Sequence, residues 1–99
     1  ELYTLAEIHI AAHTVISQRS YLCTGSHDPA SRNFRIFAKP IIINEGAWIA
    51  TDVFVAPGVT IGSNAIIGAR STLLTDAKAD YVYIGSPAKP IKLRVFEDA

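Results

Sequence analysis

The chain has 99 residues, no methionine and a single cysteine, Cys23. One cysteine excludes an internal disulfide framework and fits a reducing compartment, so the expected location is the cytoplasm. With no methionine even at position 1, the sequence is expected to lack native N-terminal residues. An excess of charge is also missing. Nine Lys+Arg balance nine Asp+Glu for a formal net charge of +0. A nucleic-acid binder usually carries a clear basic excess, so the balance argues against that class. No apolar run approaches the ~18 residues of a membrane span, and no signal-peptide pattern is visible in these residues. Charged residues are scarce at 18%, against about 25% in ordinary soluble domains. Hydrophobic residues reach 49%, too many for a disordered chain. The length fits one domain.

What the chain does contain is a repeat. From Ile43 an aliphatic residue recurs every six positions: Ile43, Ile49, Val55, Ile61, Ile67 and Leu73. Four positions after each comes a small or β-branched residue: Ala47, Val53, Val59, Ala65, Ser71 and Ala77. A shorter block precedes it, with Ile10, Ile16 and Leu22 in the aliphatic position. Leu22 and Ile43 are 21 residues apart, which is not a multiple of six, so an insertion separates the blocks. Residues 28–40, with Pro29, Asn33 and Pro40, are its expected extent.

A helix repeats apolar residues at three and four, and a lone strand at two. A period of six fits a short strand followed by a tight corner. Gly25, Gly46, Asp52, Gly58, Asn64 and Asp76 stand where that corner falls, with Arg70 the exception. Gly, Asn and Asp tolerate the left-handed backbone that a sharp corner needs. Three such faces close a triangular coil of about 18 residues. Successive coils then stack as parallel strands about 4.8 Å apart. This pairs Ile43 with Ile61, Ile49 with Ile67 and Val55 with Leu73, and it stacks Ala47 on Ala65, Val53 on Ser71 and Val59 on Ala77. Periodicity ends near Lys78. Gly85, Pro87 and Pro90 then predict an irregular cap, and residues 91–99 a short helix or extended tail.

These units resemble the hexapeptide-repeat acyltransferase family, whose fold is a left-handed parallel β-helix. The handedness comes from the resemblance alone. Three stretches narrow the match: Leu22-Cys23-Thr24-Gly25-Ser26-His27-Asp28, the run from Trp48 to Gly62, and Gly85-Ser86-Pro87-Ala88-Lys89. They are similar to the sugar O-acetyltransferase branch, closest to that of colanic-acid exopolysaccharide biosynthesis. The expected fold is therefore all-β: one left-handed β-helix domain with a first repeat block (8–27), an insertion loop (28–40), a second block (41–78) and a C-terminal cap and tail (79–99).

The resemblance implies transfer of acetyl from acetyl-coenzyme A to a sugar hydroxyl, with no metal. His27 matches the family's general base, and neutral imidazole suits removal of a hydroxyl proton. Asp28 adjoins it as a turn former or an acceptor contact. Trp48, Thr51 and Ala69 match positions along the coenzyme A arm. Lys89 and Lys92 match basic residues that meet its phosphates. Arg32 and Arg35 are candidates for an acidic sugar or a neighbouring subunit, and solvated loop charge is the simpler reading. A homotrimer with sites between subunits is also implied, and it would cover outward apolar residues such as Phe54 and Ile66. Two alternatives share the fold. One is a non-catalytic trimeric scaffold. The other is a zinc hydratase like the γ-class carbonic anhydrases, which needs about three converging ligands. His9, His13 and His27 lack that family's spacing, and Cys23 reads as a packing residue.

Overall fold

The computed structural model describes residues 2–3 and 5–97, and every regular element in that span is a strand. The first block supplies β1 (Leu2–Tyr3), β2 (Ile8–Ile10), β3 (Val15–Ile16) and β4 (Tyr21–Cys23). A pair follows, β5 (Gly25–His27) and β6 (Ile36–Ala38). The second block gives β7 (Ile41–Ile43), β8 (Trp48–Ile49), β9 (Phe54–Val55), β10 (Thr60–Ile61), β11 (Ile66–Ile67) and β12 (Thr72–Leu73). The chain ends with β13 (Tyr81–Gly85) and β14 (Ala88–Leu93).

The six-residue period deals these strands in turn to three ladders. One holds β2, β7 and β10, the next β3, β8, β11, β13 and β14, the third β1, β4, β9 and β12. Within the second block the pairing is parallel and follows the predicted spacing: Ile61 on Ile43, Ile67 on Ile49, Leu73 on Val55. In each two-residue strand of the second block the second side chain points inward, and those three pairs are almost fully buried. The small-residue positions are buried beside them, with Ala47, Val53, Val59, Ala65 and Ser71 all inside. At the open end of the coil the same aliphatic position is less protected, and Ile10 remains 46% exposed.

The corners explain the turn residues. Gly46, Asp52, Gly58, Asn64 and Arg70 all have positive φ, as do His13 and Arg19 in the first block. Arg70 adopts φ 61 despite its Cβ, so the corner geometry overrides local preference there. Gly25 and Asp76 depart from expectation, since neither has positive φ. Gly25 is needed for space, because a Cβ there would run into the Leu5 side chain. Asp76 acts through its carboxylate, which accepts the Thr60 N–H at 2.8 Å.

The first block pairs with the second at a longer interval. Ile10, Ile16 and Leu22 lie on Ile43, Ile49 and Val55, 33 residues on, one coil of 18 plus fifteen. The excess is not an irregular loop over 28–40. The chain leaves the coil after Thr24 and forms an antiparallel hairpin, with Gly25 on Ala38, Ser26 on Phe37 and His27 on Ile36. It rejoins where Lys39 N donates to Thr24 O at 2.8 Å.

The far end also differs from the sequence reading. Ala77 bridges to Ile61, not to Val59, and Val82 and Tyr83 pair with Ile66 and Ile67. The last coil is therefore two residues short. Tyr83, only 4% exposed, fills the interior place that an aliphatic would take. Its hydroxyl accepts the Lys78 N–H at 2.9 Å. The predicted irregular cap is an antiparallel hairpin of β13 and β14. Residues 91–93 are strand where a helix or tail was expected, and residues 98–99 of that tail lie outside the described span.

Candidate functional site

His27 stands on a strand of the hairpin, and the ring is exposed. Its Nδ1 lies 2.7 Å from the carbonyl oxygen of Phe34. A carbonyl can only accept, so Nδ1 carries the hydrogen and the neutral ring keeps its lone pair at Nε2. Phe34 holds that carbonyl in place through a left-handed backbone, φ 52. The loop beneath is tied by Asp28 N to Arg35 O (2.7 Å), Ser31 N to Asp28 O (3.1 Å) and Phe34 N to Ser31 O (3.1 Å). His27 opens on a pocket of about 250 Å³ lined also by Leu5, Tyr21, Cys23, Gly25, Ser26 and Ile36. Cys23 Sγ donates to Gly25 O at 2.9 Å.

Asp28 does not pair with His27. Its Oδ1 accepts from Ala30 N at 2.9 Å and its Oδ2 from the Arg35 guanidinium at 3.1 Å. It is the turn former of the hairpin, as its residue type suggests.

The other five candidates stand elsewhere on the coil. Trp48 lies on β8 between Val15 and Ile66, 42% exposed, with its Nε1 donating to Ser17 Oγ at 3.3 Å. Thr51 and Ala69 occupy the next corner, where the β8–β11 ladder hands over to the β9–β12 ladder. Arg70 N donates to Thr51 O there at 2.9 Å. Lys89 and Lys92 are exposed on β14, opposite Ile84 and Val82. One ladder and one corner thus carry these five residues. His27 extends from a different corner, after β4, and none of the five lines its pocket.

Asp52 at the Thr51 corner accepts two bonds from Arg19, at 2.9 and 3.3 Å. The bond to Arg19 holds its carboxyl below the usual carboxylate range, against a smaller opposing effect of desolvation. Of the remaining histidines, His9 Nε2 contacts Glu7 at 2.8 Å and His13 forms a corner. Among the described residues no group of three or more His, Cys, Asp or Glu converges as a metal set would.

The family model described as bacterial transferase hexapeptide (six repeats) matches residues 40–75. The protein assigned as colanic acid biosynthesis acetyltransferase WcaF in Escherichia coli K12 is 61% identical over 94 residues, covering 95% of this chain and 52% of WcaF. The chain belongs to the hexapeptide-repeat transferase family. Galactoside O-acetyltransferase of the same organism is 36% identical over 66 residues, 67% of this chain and 32% of that protein. Among solved structures, a hexapeptide-repeat acetyltransferase of Vibrio cholerae complexed with acetyl-coenzyme A superposes with a TM-score of 0.88 at 28% identity, over 93% of this chain and 52% of that one. A galactoside acetyltransferase in complex with coenzyme A gives 0.87 at 29%, over 93% and 48%. This hexapeptide-repeat transferase chain spans about half the length of WcaF and of the Vibrio cholerae acetyltransferase.

Sequence reasoning missed the partner that fixes the His27 ring. Phe34 contributes only a carbonyl, and a phenylalanine gives no sign of left-handed backbone. It also missed Tyr21, which stacks on Phe54 at 5.9 Å while bordering the His27 pocket. The alternation of Ser26 and His27 against Ile36 and Phe37 was the available signal for the hairpin.

Proposed function

We propose that the chain is the catalytic β-helix of an acetyl-coenzyme-A-dependent O-acetyltransferase that acts on a sugar hydroxyl in exopolysaccharide biosynthesis. The observation that carries this reading is the His27 Nδ1 to Phe34 O bond, which puts the ring hydrogen on Nδ1 and leaves Nε2 its lone pair. His27 Nε2 takes the proton of the acceptor hydroxyl as its oxygen bonds to the thioester carbonyl carbon. A backbone N–H stabilises the resulting oxyanion. As the carbon–sulfur bond breaks, His27 returns the proton to the leaving thiolate. The products are the acetylated sugar and coenzyme A, and His27 ends neutral, as it began.

In this reading the coil winds left-handed, as in the family, and coenzyme A lies along its outside past Trp48, Thr51 and Ala69. Lys89 and Lys92 meet its phosphates as flexible point charges. Asp28 shapes the acceptor side of the hairpin. His27 and the coenzyme A residues stand at different corners of one chain, which favours a homotrimer in which one copy's His27 serves another's Trp48 face. The exposed Trp48 and Val15 side chains support the same arrangement. Among the described residues no helix is long and apolar enough to cross a membrane. The free Cys23 favours a reducing compartment, the cytoplasm.

The test is thiol release from acetyl-coenzyme A over a panel of sugar acceptors, with calorimetric binding and solution mass measured on the same samples. His27→Asn keeps an amide donor at the Nδ1 position for Phe34 O but has no basic nitrogen. It is expected to lose about 10²–10⁴ in rate while binding acetyl-coenzyme A as the wild type does. Undiminished turnover in this variant would remove His27 from the chemistry.

A further inference from the structure

The hairpin concentrates charge that the rest of the chain balances. Between Gly25 and Lys39 stand three cations, Arg32, Arg35 and Lys39, and one carboxylate, Asp28, in a chain of net charge +0. Strand pairing sorts the side chains by face. His27 and Ile36 share one face, and Ser26 and Phe37 the other. By the same alternation Asp28 and Arg35 fall with Phe37. That second face holds a pocket of about 420 Å³ lined by Asp28, Pro29, Arg35, Phe37 and Lys39.

The walls of this pocket are held in position. Asp28 accepts from Ala30 N and from Arg35, which fixes the guanidinium. The Lys39 backbone bonds to Thr24 O, and its stem lies over Gly58. A Cβ at position 58 would approach Lys39 Cδ to 3.1 Å and Cβ to 3.2 Å, so the glycine leaves room for that stem. Lys39 Nζ stands 6.0 Å from the centre of the Phe37 ring. Asp28 is engaged by Arg35, and among the described residues no carboxylate forms a salt bridge with Lys39. An aromatic face beside an unneutralised ammonium suits a sugar ring that bears an anion. The ring's C–H face packs on the aromatic, and the anion meets a compact point charge.

We propose that this pocket is an acceptor subsite for an anionic sugar, with the pyranose on Phe37 and its carboxylate or phosphate on Lys39 Nζ. The inference rests on the sugar O-acetyltransferase reading above and adds a charge requirement to it. The pocket and His27 sit on opposite faces of one two-stranded ribbon. An acceptor of more than one sugar can therefore reach both around the hairpin edge.

The experiment titrates isotope-labelled protein with methyl glucuronide, methyl glucoside and glucose 1-phosphate, following backbone amide signals. Acetyl-coenzyme A binding is measured by calorimetry on the same preparation. An anionic sugar is expected to bind at least tenfold more tightly than the glucoside and to move the Arg35, Phe37 and Lys39 signals. Response to glucuronide alone assigns a carboxylate, and response to the phosphate alone assigns a phosphate. Lys39→Gln removes the preference and leaves acetyl-coenzyme A binding intact. Arg35→Gln is an independent second variant, and it weakens the anion by freeing the Asp28 carboxylate. Equal response to all three sugars, or a preference that survives both substitutions, overturns the subsite while the acyltransferase reading stands. Failure of the wild type to bind acetyl-coenzyme A overturns that reading, and with it the acceptor role of the pocket.

Discussion

Removing Arg94 should cost the coil more than its half-buried position suggests. Its NH1 donates to Gly46 O at 2.9 Å and to Asn64 O at 3.1 Å, which are corner carbonyls of two stacked coils. Its own N–H donates to Asp80 O, and its guanidinium lies 4.3 Å from the centre of the Phe96 ring. Arg94 thus ties the end of β14 across the stack. A hydrogen bond from a charged group contributes about 1.5–3 kcal/mol. Two would give about 3–6 kcal/mol if water could not replace them. The corner is only half-buried, so roughly half survives, on the order of 2 kcal/mol. For a chain of about 100 residues, each kcal/mol moves the thermal midpoint by about 4–8 °C. Arg94→Met should therefore melt about 8–16 °C below the wild type. Arg94→Lys should recover less than half of that, because a point charge does not reproduce the planar donor set. The assay is thermal unfolding by circular dichroism at fixed protein concentration. If Arg94→Met melted within about 2 °C of the wild type, a shift well under 1 kcal/mol, water would be bonding these carbonyls equally well and the strut would not exist.

Two further outcomes follow from buried and paired groups. Ser71 is buried, and its Oγ accepts the Gly85 N–H at 3.1 Å. Ser71→Val should cost about 1–3 kcal/mol by leaving that donor unsatisfied, read as a lower denaturant midpoint with an unchanged slope. The depressed carboxyl of Asp52 contributes stability that is present above its unfolded value near 3.8 and lost as pH falls through the lower folded value. Arg19→Met should flatten the acid limb of stability in that range, and 1 M salt should do the same to the wild type because the pair is exposed.

The repeat made much of this fold legible because its signal is local and redundant. Ile43, Ile49 and Val55 predict their partners eighteen residues on, and those partners are observed. Legibility failed where the chain leaves the period. Ala77 satisfies the pattern in sequence, yet two residues are missing from the last coil, so it slides onto Ile61. Tyr83 then closes the interior, a use that an aromatic in a cap does not announce. The hairpin was hidden because its strands are short and their pairing is antiparallel, against the parallel rule elsewhere. At the candidate site, the motif singled out His27, whose catalytic role is the proposal made above. Nothing in the sequence singled out Phe34 or Arg94, since each acts through backbone carbonyls that only the folded chain brings near.

The insertion point has a consequence for how such a chain can change. Thr24 and Lys39 are already bonded neighbours, and the ladders on either side of them keep one register. What lies between the two is therefore a cassette. Its length and chemistry can be exchanged without moving an interior isoleucine, because the coil only needs its two ends to meet. His27, Arg35 and Phe37 travel together on that cassette, while Lys39 at its root and Trp48, Thr51 and Ala69 stay on the frame. Exchanging this cassette is a transplant of fewer than about twenty residues, within the loop lengths that proteins tolerate at low entropic cost.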